Sequence, residues 1–202
     1  MRELLTVLIE LIFPDRTDAH TIKTASDHEW SMEYQPKTYN DVIFLSRYHH
    51  PLIEAAIKEN KFYHNQEAAR LLGSLLSQWS QSKVSYTIFI PIPLGKKRLR
   101  ERGYNQVISI LSAAQLTPYT DVTILQRNRE TLPQVRLNRT DRKENIKDAF
   151  SYTGKMQLPT SCTQVILIDD VVTTGATLLA AKTALASHLP SHIKIQCLAL
   201  AH

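Results

Sequence analysis

The chain has 202 residues, of which 43% are hydrophobic and 21% charged, and its formal net charge is +5. This length and apolar fraction are ample for one domain with a core of its own and a short N-terminal extension. The apolar stretch over residues 4–13 is too short to cross a bilayer and is interrupted by Glu10, so we expect neither a membrane span nor a signal peptide.

The predicted elements of the first half begin after a polar stretch. Residues 14–40 are polar and contain two prolines, so they are predicted to form an irregular linker. Residues 42–48 form a run rich in β-favouring side chains. Residues 51–61 carry apolar side chains at helical spacing behind a proline in the first turn. Residues 67–79 form a second amphipathic helix, and we predict that its leucines belong to the core.

The second half alternates between strands and helices. The predicted elements are a strand over 86–90, a helix over 105–114, strands over 121–125 and 164–168, a helix over 178–188 and a strand over 193–201. This alternation predicts an α/β fold with a parallel sheet flanked by helices. Ligands of such sheets bind beyond the carboxyl ends of the strands, so residues 91–102, 127–145 and 169–177 are expected to share one rim.

Two adjacent acids, Asp169 and Asp170, stand where the aliphatic strand 164–168 should end. A hydroxyl-and-glycine loop follows them and opens a helix: Thr173, Thr174, Gly175, Ala176 and Thr177. A helix start presents unpaired N–H groups and the positive end of the helix dipole, which suits a phosphate. The acids would repel that phosphate, so they should face hydroxyls or a metal. A sugar with a 5-phosphate and vicinal hydroxyls meets both demands.

This interpretation has a structural condition and an alternative. Successive strand residues point to opposite faces, so both acids can serve one ligand only if the strand has already become loop at Asp170. The alternative is an ordinary strand–loop–helix junction in which Asp and Thr side chains are caps.

The segment resembles the 5-phosphoribosyl-1-pyrophosphate (PRPP) loop of the type I phosphoribosyltransferases. The shared pattern is acid-acid-x-x-(Thr/Ser)-Thr-Gly-x-(Thr/Ser) behind an aliphatic strand. By this resemblance Asp169 and Asp170 would be the catalytic acids that hold the ribose hydroxyls, and residues 173–177 would hold the 5-phosphate. The resemblance also implies a type I phosphoribosyltransferase-like sheet over residues 41–202, with residues 1–40 as a small N-terminal hood or extension.

A second pattern resembles the ComF family. Pro91-Ile-Pro-Leu94 and the run from Lys97 to Gln106 are similar to its Pro-x-Pro-Leu and Arg-Gly-Phe-Asn-Gln signature. Three further pieces agree in order: Leu132-Pro-Gln134, Arg139 with Arg142 and Asn145, and Ala149-Phe150. The resemblance extends from residue 42 to the C-terminus.

The N-terminal segment departs from that family, whose members usually carry a zinc-binding cysteine cluster there. The only cysteines of this chain, Cys162 and Cys197, lie far away and lack paired C-x-x-C spacing, so we predict no structural zinc. Both stand in apolar, strand-like surroundings. They are expected to be reduced core thiols, which predicts a cytoplasmic protein.

Positive charge is concentrated in residues 96–148, which hold twelve basic and six acidic residues, while the remainder is close to neutral. A polyanionic small ligand, a nucleic acid and a plain solvated face all predict such a cluster. Its aromatic residues are few (Tyr104 and Tyr119), which gives little support for a surface that stacks single-stranded bases. We therefore favour a polyphosphate ligand.

The resemblance assigns roles within this basic segment. The loop after strand 86–90 would bind pyrophosphate, and its candidate charge donors are Lys97, Arg98, Arg100 and Arg102. Mg²⁺ would arrive with the ligand, without direct protein ligands, and assist the leaving group. Residues 127–145 are predicted to form a flap that closes over the ligand with Arg136 and Arg139. A solvated side chain is the alternative for each arginine, and a basic surface loop is the alternative for the flap.

Three functional hypotheses result. The first is a phosphoribosyltransferase-type ComF protein that binds PRPP or a ribose 5-phosphate-containing nucleotide with Mg²⁺ and, if catalytic, displaces pyrophosphate from ribose C1 with a nitrogen nucleophile. The second is a non-catalytic PRPP or nucleotide sensor. The third is a DNA-uptake factor that acts on single-stranded DNA or competence proteins, as the association of ComF relatives with natural competence implies. The acceptor is not readable from the sequence, and the oligomeric state stays open, a homodimer included.

Overall fold

The computed structural model of the chain describes residues 17–128, 149–155 and 158–202. The first half contains helices α1 (Thr17–Thr24), α2 (Asp27–Ser31), α3 (Pro51–Tyr63) and α4 (Gln66–Ser80) and strands β1 (Lys37–Tyr39) and β2 (Val42–Ser46). The second half contains strands β3 (Thr87–Pro91), β4 (Leu125–Arg127), β5 (Phe150–Tyr152), β6 (Gln164–Val171) and β7 (Lys194–Ala201) and helices α5 (Lys96–Arg102), α6 (Gln106–Ala113) and α7 (Ala176–Ala186). Short 3₁₀ turns precede β3 and follow α6.

Five strands form the central sheet in the order β1-β2-β7-β6-β3. Strands β2, β7, β6 and β3 are mutually parallel, and β1 pairs with β2 in the antiparallel direction at the edge. Strands β4 and β5 form a separate antiparallel pair. The predicted α/β class with a mostly parallel sheet flanked by helices is confirmed, whereas the specific phosphoribosyltransferase-like type stays a prediction.

The sheet separates two buried clusters, and strand β6 contributes alternately to both. Ile166 and Ile168 pack with α3, α4 and α6, while Val165 and Leu167 pack on the opposite face with α7. Because strand side chains alternate with period two, Asp170 belongs to the α3 face and Asp169 to the α7 face.

Local signals fix the helix ends near the carboxyl edge of the sheet. Helix α3 begins with Pro51 and ends at His64, which adopts a left-handed φ of 52°. Helix α6 begins at Asn105, whose side chain accepts a hydrogen bond from the Val107 amide (3.0 Å) and donates one to the Ile92 carbonyl (2.9 Å). Asn105 therefore caps α6 and also holds it against the segment that leaves β3.

The irregular linker predicted over residues 14–40 is wrong for the part that the structure describes. Residues 17–40 contain α1, α2 and β1, and Ile22 and Trp30 are buried in the core on the α3 face. The Trp30 indole donates a hydrogen bond to the Leu71 carbonyl at 2.8 Å. Residues 17–40, although mostly polar, therefore pack as short elements that Ile22 and Trp30 anchor in the core. Residues 1–16 lie outside the part of the chain that the structure describes.

The strand predicted over residues 121–125 is also wrong. The Asp121 carboxylate accepts hydrogen bonds from the amides of Thr123 (2.6 Å) and Ile124 (3.2 Å), which turns the chain there. This local side-chain-to-backbone bonding competes with strand formation. Contact with the central sheet is reduced to a bridge between Thr120 and Phe89, and β4 begins only at Leu125.

The other predicted elements occur with shifted ends. Strand β6 runs through both acids to Val171, so the expected change to loop at Asp170 is wrong. Cys162 and Cys197 are free and buried, as expected of core thiols. In the part of the chain described, no helix combines the length and apolar character that crossing a membrane requires.

Candidate functional site

A cavity of about 260 Å³, called here the acid pocket, lies beyond the carboxyl ends of β3 and β6. Its walls come from the end of α3, the segment after β3, helix α5, the start of α6, the end of β4 and the β6–α7 junction. The lining residues are Lys61, Ile92, Leu94, Arg98, Arg102, Gln106, Arg127 and residues 169–178. Carboxylates, cations and a helix start therefore share one opening.

Both acids line this pocket although they lie on opposite faces of β6. Asp170 is 5% exposed, whereas Asp169 is partly buried. The Asp169 carboxylate accepts a hydrogen bond from the Asp170 amide at 2.9 Å, and the Asp170 carboxylate accepts one from the Val171 amide at 3.0 Å. The strand ends directly after them, so the pocket wraps round the strand end and reaches both faces.

Burial raises the pKa of Asp169 well above its ordinary value, and the neighbouring Asp170 carboxylate raises that pKa further. Two carboxylates this close resist simultaneous ionisation. Asp169 therefore holds its proton more tightly than an exposed aspartate unless a donor or a cation arrives.

Lys61, in the last turn of α3, is the cation beside the buried acid. Its Nζ lies 3.6 Å from Asp170 Oδ2, and that oxygen is buried without a hydrogen bond among the described residues. At this distance the Lys61 ammonium balances the charge of Asp170 but does not donate a hydrogen bond to its Oδ2 atom. A ligand that brings a hydrogen-bond donor into the pocket could therefore bind to Asp170 Oδ2.

Arg102 stands on the wall opposite the strand. It donates a hydrogen bond to the Gln106 side chain, which is itself 3% exposed and lines the pocket. Burial lowers the pKa of Arg102, and the Asp170 carboxylate acts in the opposite sense. Because an arginine keeps its charge in proteins, Arg102 lines the pocket as a cation.

The β6–α7 junction supplies the helix start. Gly175 has a left-handed φ of 78° and precedes α7 without a side-chain cap. A Cβ added there would lie 3.2 Å from Val42 Cγ2. The Thr174 hydroxyl accepts from the Ala176 amide only at 3.4 Å. The positive end of α7 therefore opens onto the acid pocket with little internal capping.

Most of the site residues predicted from the sequence converge here. Asp169, Asp170 and residues 173–177 line the pocket together with Arg98 and Arg102. Lys97 and Arg100 are not among its lining residues, because α5 is a helix and turns them elsewhere. Lys97 Nζ lies 3.8 Å from Glu101 Oε1 on the exposed side of α5. Arg136 and Arg139 lie outside the described residues.

Sequence reasoning gave Lys61 no role at the site, and it noted Gln106 as the last residue of the ComF-like signature. Only the packing of α3 on the sheet brings Lys61 to Asp170. Gln106 begins α6, and its contact with Arg102 crosses the turn at Gly103 that ends α5. The contact therefore depends on how the two helices meet, and the ComF-like signature that contains both residues is the sequence signal that includes them.

A larger groove of about 770 Å³, called here the apolar groove, lies beside the acid pocket and shares Leu94 with it. Its walls are mostly apolar and include Pro91, Pro93 and Leu99. The acids and the arginines line the smaller cavity, so the volume of a cavity does not identify the candidate site.

Metal binding by side chains alone has little support in the described part of the chain. No group of three or more His, Cys, Asp or Glu side chains there could hold a metal ion. Carboxylate oxygens such as those of Asp169 and Asp170 are nevertheless of the kind that a hard cation such as Mg²⁺ prefers.

Comparison with known proteins gives several relatives, although no family model matches the chain. The chain is 34% identical over 155 residues to Competence protein F of Haemophilus influenzae, covering 71% of this chain and 66% of that protein. It is 29% identical over 174 residues to the DNA utilization protein YhgH of Salmonella typhimurium, covering 81% and 74%. It is 32% identical over 143 residues to Competence protein ComFC of Streptococcus pneumoniae, covering 70% and 56%.

The chain thus spans between about half and three quarters of the length of these relatives. These three relatives come from different bacteria. Two of them are named as competence proteins and the third as a DNA utilization protein. The comparisons therefore support the assignment of this chain to the ComF family.

Proposed function

We propose that this protein serves in the uptake or utilization of DNA, and that its acid pocket binds PRPP or a ribose 5-phosphate-containing nucleotide with Mg²⁺. The first part rests on the names of the relatives, which refer to competence and to DNA utilization. The second part rests on one observation: an acid pair, three arginines and a helix start with little internal capping line the same small cavity.

The helix start is the proposed seat of the 5-phosphate. The first amides of α7 point out of the helix, and the junction offers exposed hydroxyls at Thr173 and Thr174. Each hydrogen bond to a charged phosphate is worth roughly 1.5–3 kcal/mol. Gly175 gives the chain the turn that brings these groups together.

The acids are the proposed partners of the pentose diol. Asp170 Oδ2 is buried and lacks a hydrogen-bond donor among the described residues, so a ribose hydroxyl would satisfy it. Asp169 lies on the other face of the strand end, where an adjacent hydroxyl or a ligand-borne Mg²⁺ would favour its ionised form.

The cations are the proposed partners of a pyrophosphate. Arg98 and Arg102 are one helical turn apart on α5 and both line the pocket. Arginine makes paired contacts with phosphate oxygens, and Mg²⁺, when bound, supplies charge neutralisation to a departing pyrophosphate. In the catalytic version, a nitrogen nucleophile attacks ribose C1, the bond from C1 to the pyrophosphate oxygen breaks, and pyrophosphate leaves.

The size of the pocket favours a small ligand over a nucleic-acid strand in this position. Its volume of about 260 Å³ is just below the usual range for small-molecule sites, which begins at about 300 Å³. A phosphopentose is of this size, whereas a strand of DNA needs an extended groove. If the protein acts on DNA, most of the strand must therefore lie outside the acid pocket.

Calorimetric titration tests the pocket assignment. PRPP should bind saturably in the presence of Mg²⁺ and weakly without it, and ribose 5-phosphate serves as the control that lacks the pyrophosphate. Pyrophosphate release with added bases and amines would identify an enzyme. PRPP binding without any release across the panel would identify a sensor, and no PRPP binding at all would leave only the DNA-handling role.

A further inference from the structure

Phe62, in the last turn of α3, is a large aromatic side chain that lies beside the acid pocket, and Tyr63 follows it in the chain. Phe62 is 63% exposed and Tyr63 is 53% exposed. Neither lines the acid pocket, whereas their neighbour Lys61 does. Aromatic rings normally bury most of their surface, so a ring as exposed as that of Phe62 next to a binding site is suited to a contact with something outside the chain.

Cations surround the first of these rings. The guanidinium carbon of Arg102 lies 5.9 Å from the centre of the Phe62 ring, and Lys61 Nζ also lies 5.9 Å from it. These distances fall within the range of cation–π contacts. The remaining cations of α5 are exposed: Lys96, Lys97, Arg98 and Arg100. One acid, Glu101, belongs to the same helix.

The fold therefore builds a surface that the sequence did not show. The basic segment has few aromatic residues of its own, and this argued against base stacking. The end of α3 lies against Tyr104, just after α5, and this brings Phe62 to that segment from well upstream. We call this surface, made of Phe62 and Arg102, the aromatic ledge.

We propose that the aromatic ledge binds single-stranded DNA, with the ring of Phe62 stacking on one base and the cations of α5 contacting the adjacent phosphates. The inference rests on the DNA-handling role proposed above and adds its location. Exposed rings beside cations recognise unpaired bases, because duplex DNA keeps the faces of its bases stacked on one another. The ledge therefore predicts preference for single strands over duplex.

Arg102 connects the ledge to the acid pocket. It lies over Phe62 and also lines the pocket, so one guanidinium contacts both places. A strand that stacks on Phe62 would hold its neighbouring phosphate close to the pocket entrance. Binding of a pyrophosphate-containing ligand and binding of a strand should consequently influence each other.

Fluorescence anisotropy with a labelled oligothymidine of about 12 nucleotides, a length within the usual site sizes, tests the ledge in the full chain. Phe62→Ala should weaken binding about tenfold, because the loss of one base–aromatic stack has this effect. Phe62→Trp should retain the affinity. The matched control is Tyr86→Ala, which removes a 41% exposed aromatic ring at the opposite end of β3 and should leave binding unchanged.

Salt dependence separates stacking from charge. Phe62→Ala should weaken binding by the same factor at every salt concentration, whereas Arg100→Gln should lower the salt slope, because it removes a phosphate contact. Unchanged affinity of Phe62→Ala, or equal losses in Phe62→Ala and Phe62→Trp, would overturn the ledge while the DNA-handling role stands. Absence of any single-strand binding by the unaltered chain would overturn both.

Discussion

Lys61 Nζ lies 3.6 Å from Asp170 Oδ2, so the last turn of α3 carries the counter-charge for the more buried of the two acids on β6. This pair joins α3, which carries none of the predicted site residues, to the segment that carries the acid pair and the hydroxyl-and-glycine loop. It also explains how Asp170 stays inside a strand at 5% exposure: its charge is balanced across the interface between helix and sheet.

Lys61→Met should destabilise the fold, because it removes the ammonium that pairs with the buried Asp170 carboxylate. We expect a loss of about 1–3 kcal/mol in the free energy of unfolding, measured by urea denaturation at neutral pH. Lys58→Met is the matched control on the same helix, since Lys58 pairs with Glu54 at 2.9 Å and with Asp18 at 3.9 Å, two acids that are much less buried than Asp170. It should cost about 0.5 kcal/mol or less. Equal losses in the two variants would argue against a special role for Lys61.

Asp169 should make stability depend on pH. Its raised pKa means that the folded chain keeps a proton that the unfolded chain releases above the ordinary value of 3.8. The stabilisation is complete below that value and is lost as the pH rises through the raised pKa, by at most about 1.4 kcal/mol per pH unit.

Asp169→Asn removes this dependence. The variant should gain stability relative to the unaltered chain between about pH 4 and about pH 7, and urea unfolding at both values measures the gain. Asp27→Asn, at an exposed acid of α2, is the control and should show a smaller change. A stability difference between Asp169→Asn and the unaltered chain that does not vary with pH would contradict the assignment.

The two faces of α5 should differ in their effect on ligand affinity. Arg98 lines the acid pocket and Arg100 does not, although both belong to one helix. Arg98→Gln should weaken PRPP binding about tenfold while ribose 5-phosphate, which lacks the pyrophosphate, is little affected. Arg100→Gln should change neither. Equal effects of the two substitutions in calorimetry would show that only the net charge of α5 matters.

Gly175→Ala should impair both fold and phosphate binding. The left-handed φ of 78° costs a side chain about 1–2 kcal/mol, and a Cβ would also lie 3.2 Å from Val42 Cγ2. Gly154→Ala is the control, because Gly154 has a similar φ of 79° and open space around it. It should cost the conformational strain alone and leave phosphate affinity unchanged. Thermal unfolding measures the stability of both variants, and calorimetry measures their phosphate affinity. The prediction is contradicted if Gly175→Ala loses no more stability and no more affinity than Gly154→Ala.

The sequence predicted the elements that have a regular pattern. The alternation of strands and helices follows from periodicity and from prolines and caps such as Asn105, and the convergence of residues 91–102 and 169–177 follows from the rule for parallel sheets. Such patterns can be recognised within short stretches of sequence. The structure confirms that residues of the segments 91–102 and 169–177 lie at one rim of the sheet.

The features that were not predicted depend on local hydrogen bonding, on helix propensity and on tertiary packing. Asp121 turns the chain by bonding to its own neighbours, which no hydrophobic pattern reveals. The segment expected as a loop after β3 contains α5, because its Lys, Arg, Leu and Glu residues are good helix formers. Lys61 and Phe62 reach the site through tertiary packing alone, so only a three-dimensional structure could assign them to it.

The central claim is that Asp169 and Asp170 hold the hydroxyls of a phosphorylated pentose, and one calorimetric comparison tests it most directly. PRPP with Mg²⁺ is titrated at neutral pH into the unaltered chain, Asp169→Asn and Asp27→Asn. We predict saturable binding by the unaltered chain, equal binding by Asp27→Asn, and binding at least about tenfold weaker by Asp169→Asn although its fold is no less stable. Undiminished affinity in Asp169→Asn, or no saturable binding by the unaltered chain, would contradict the account.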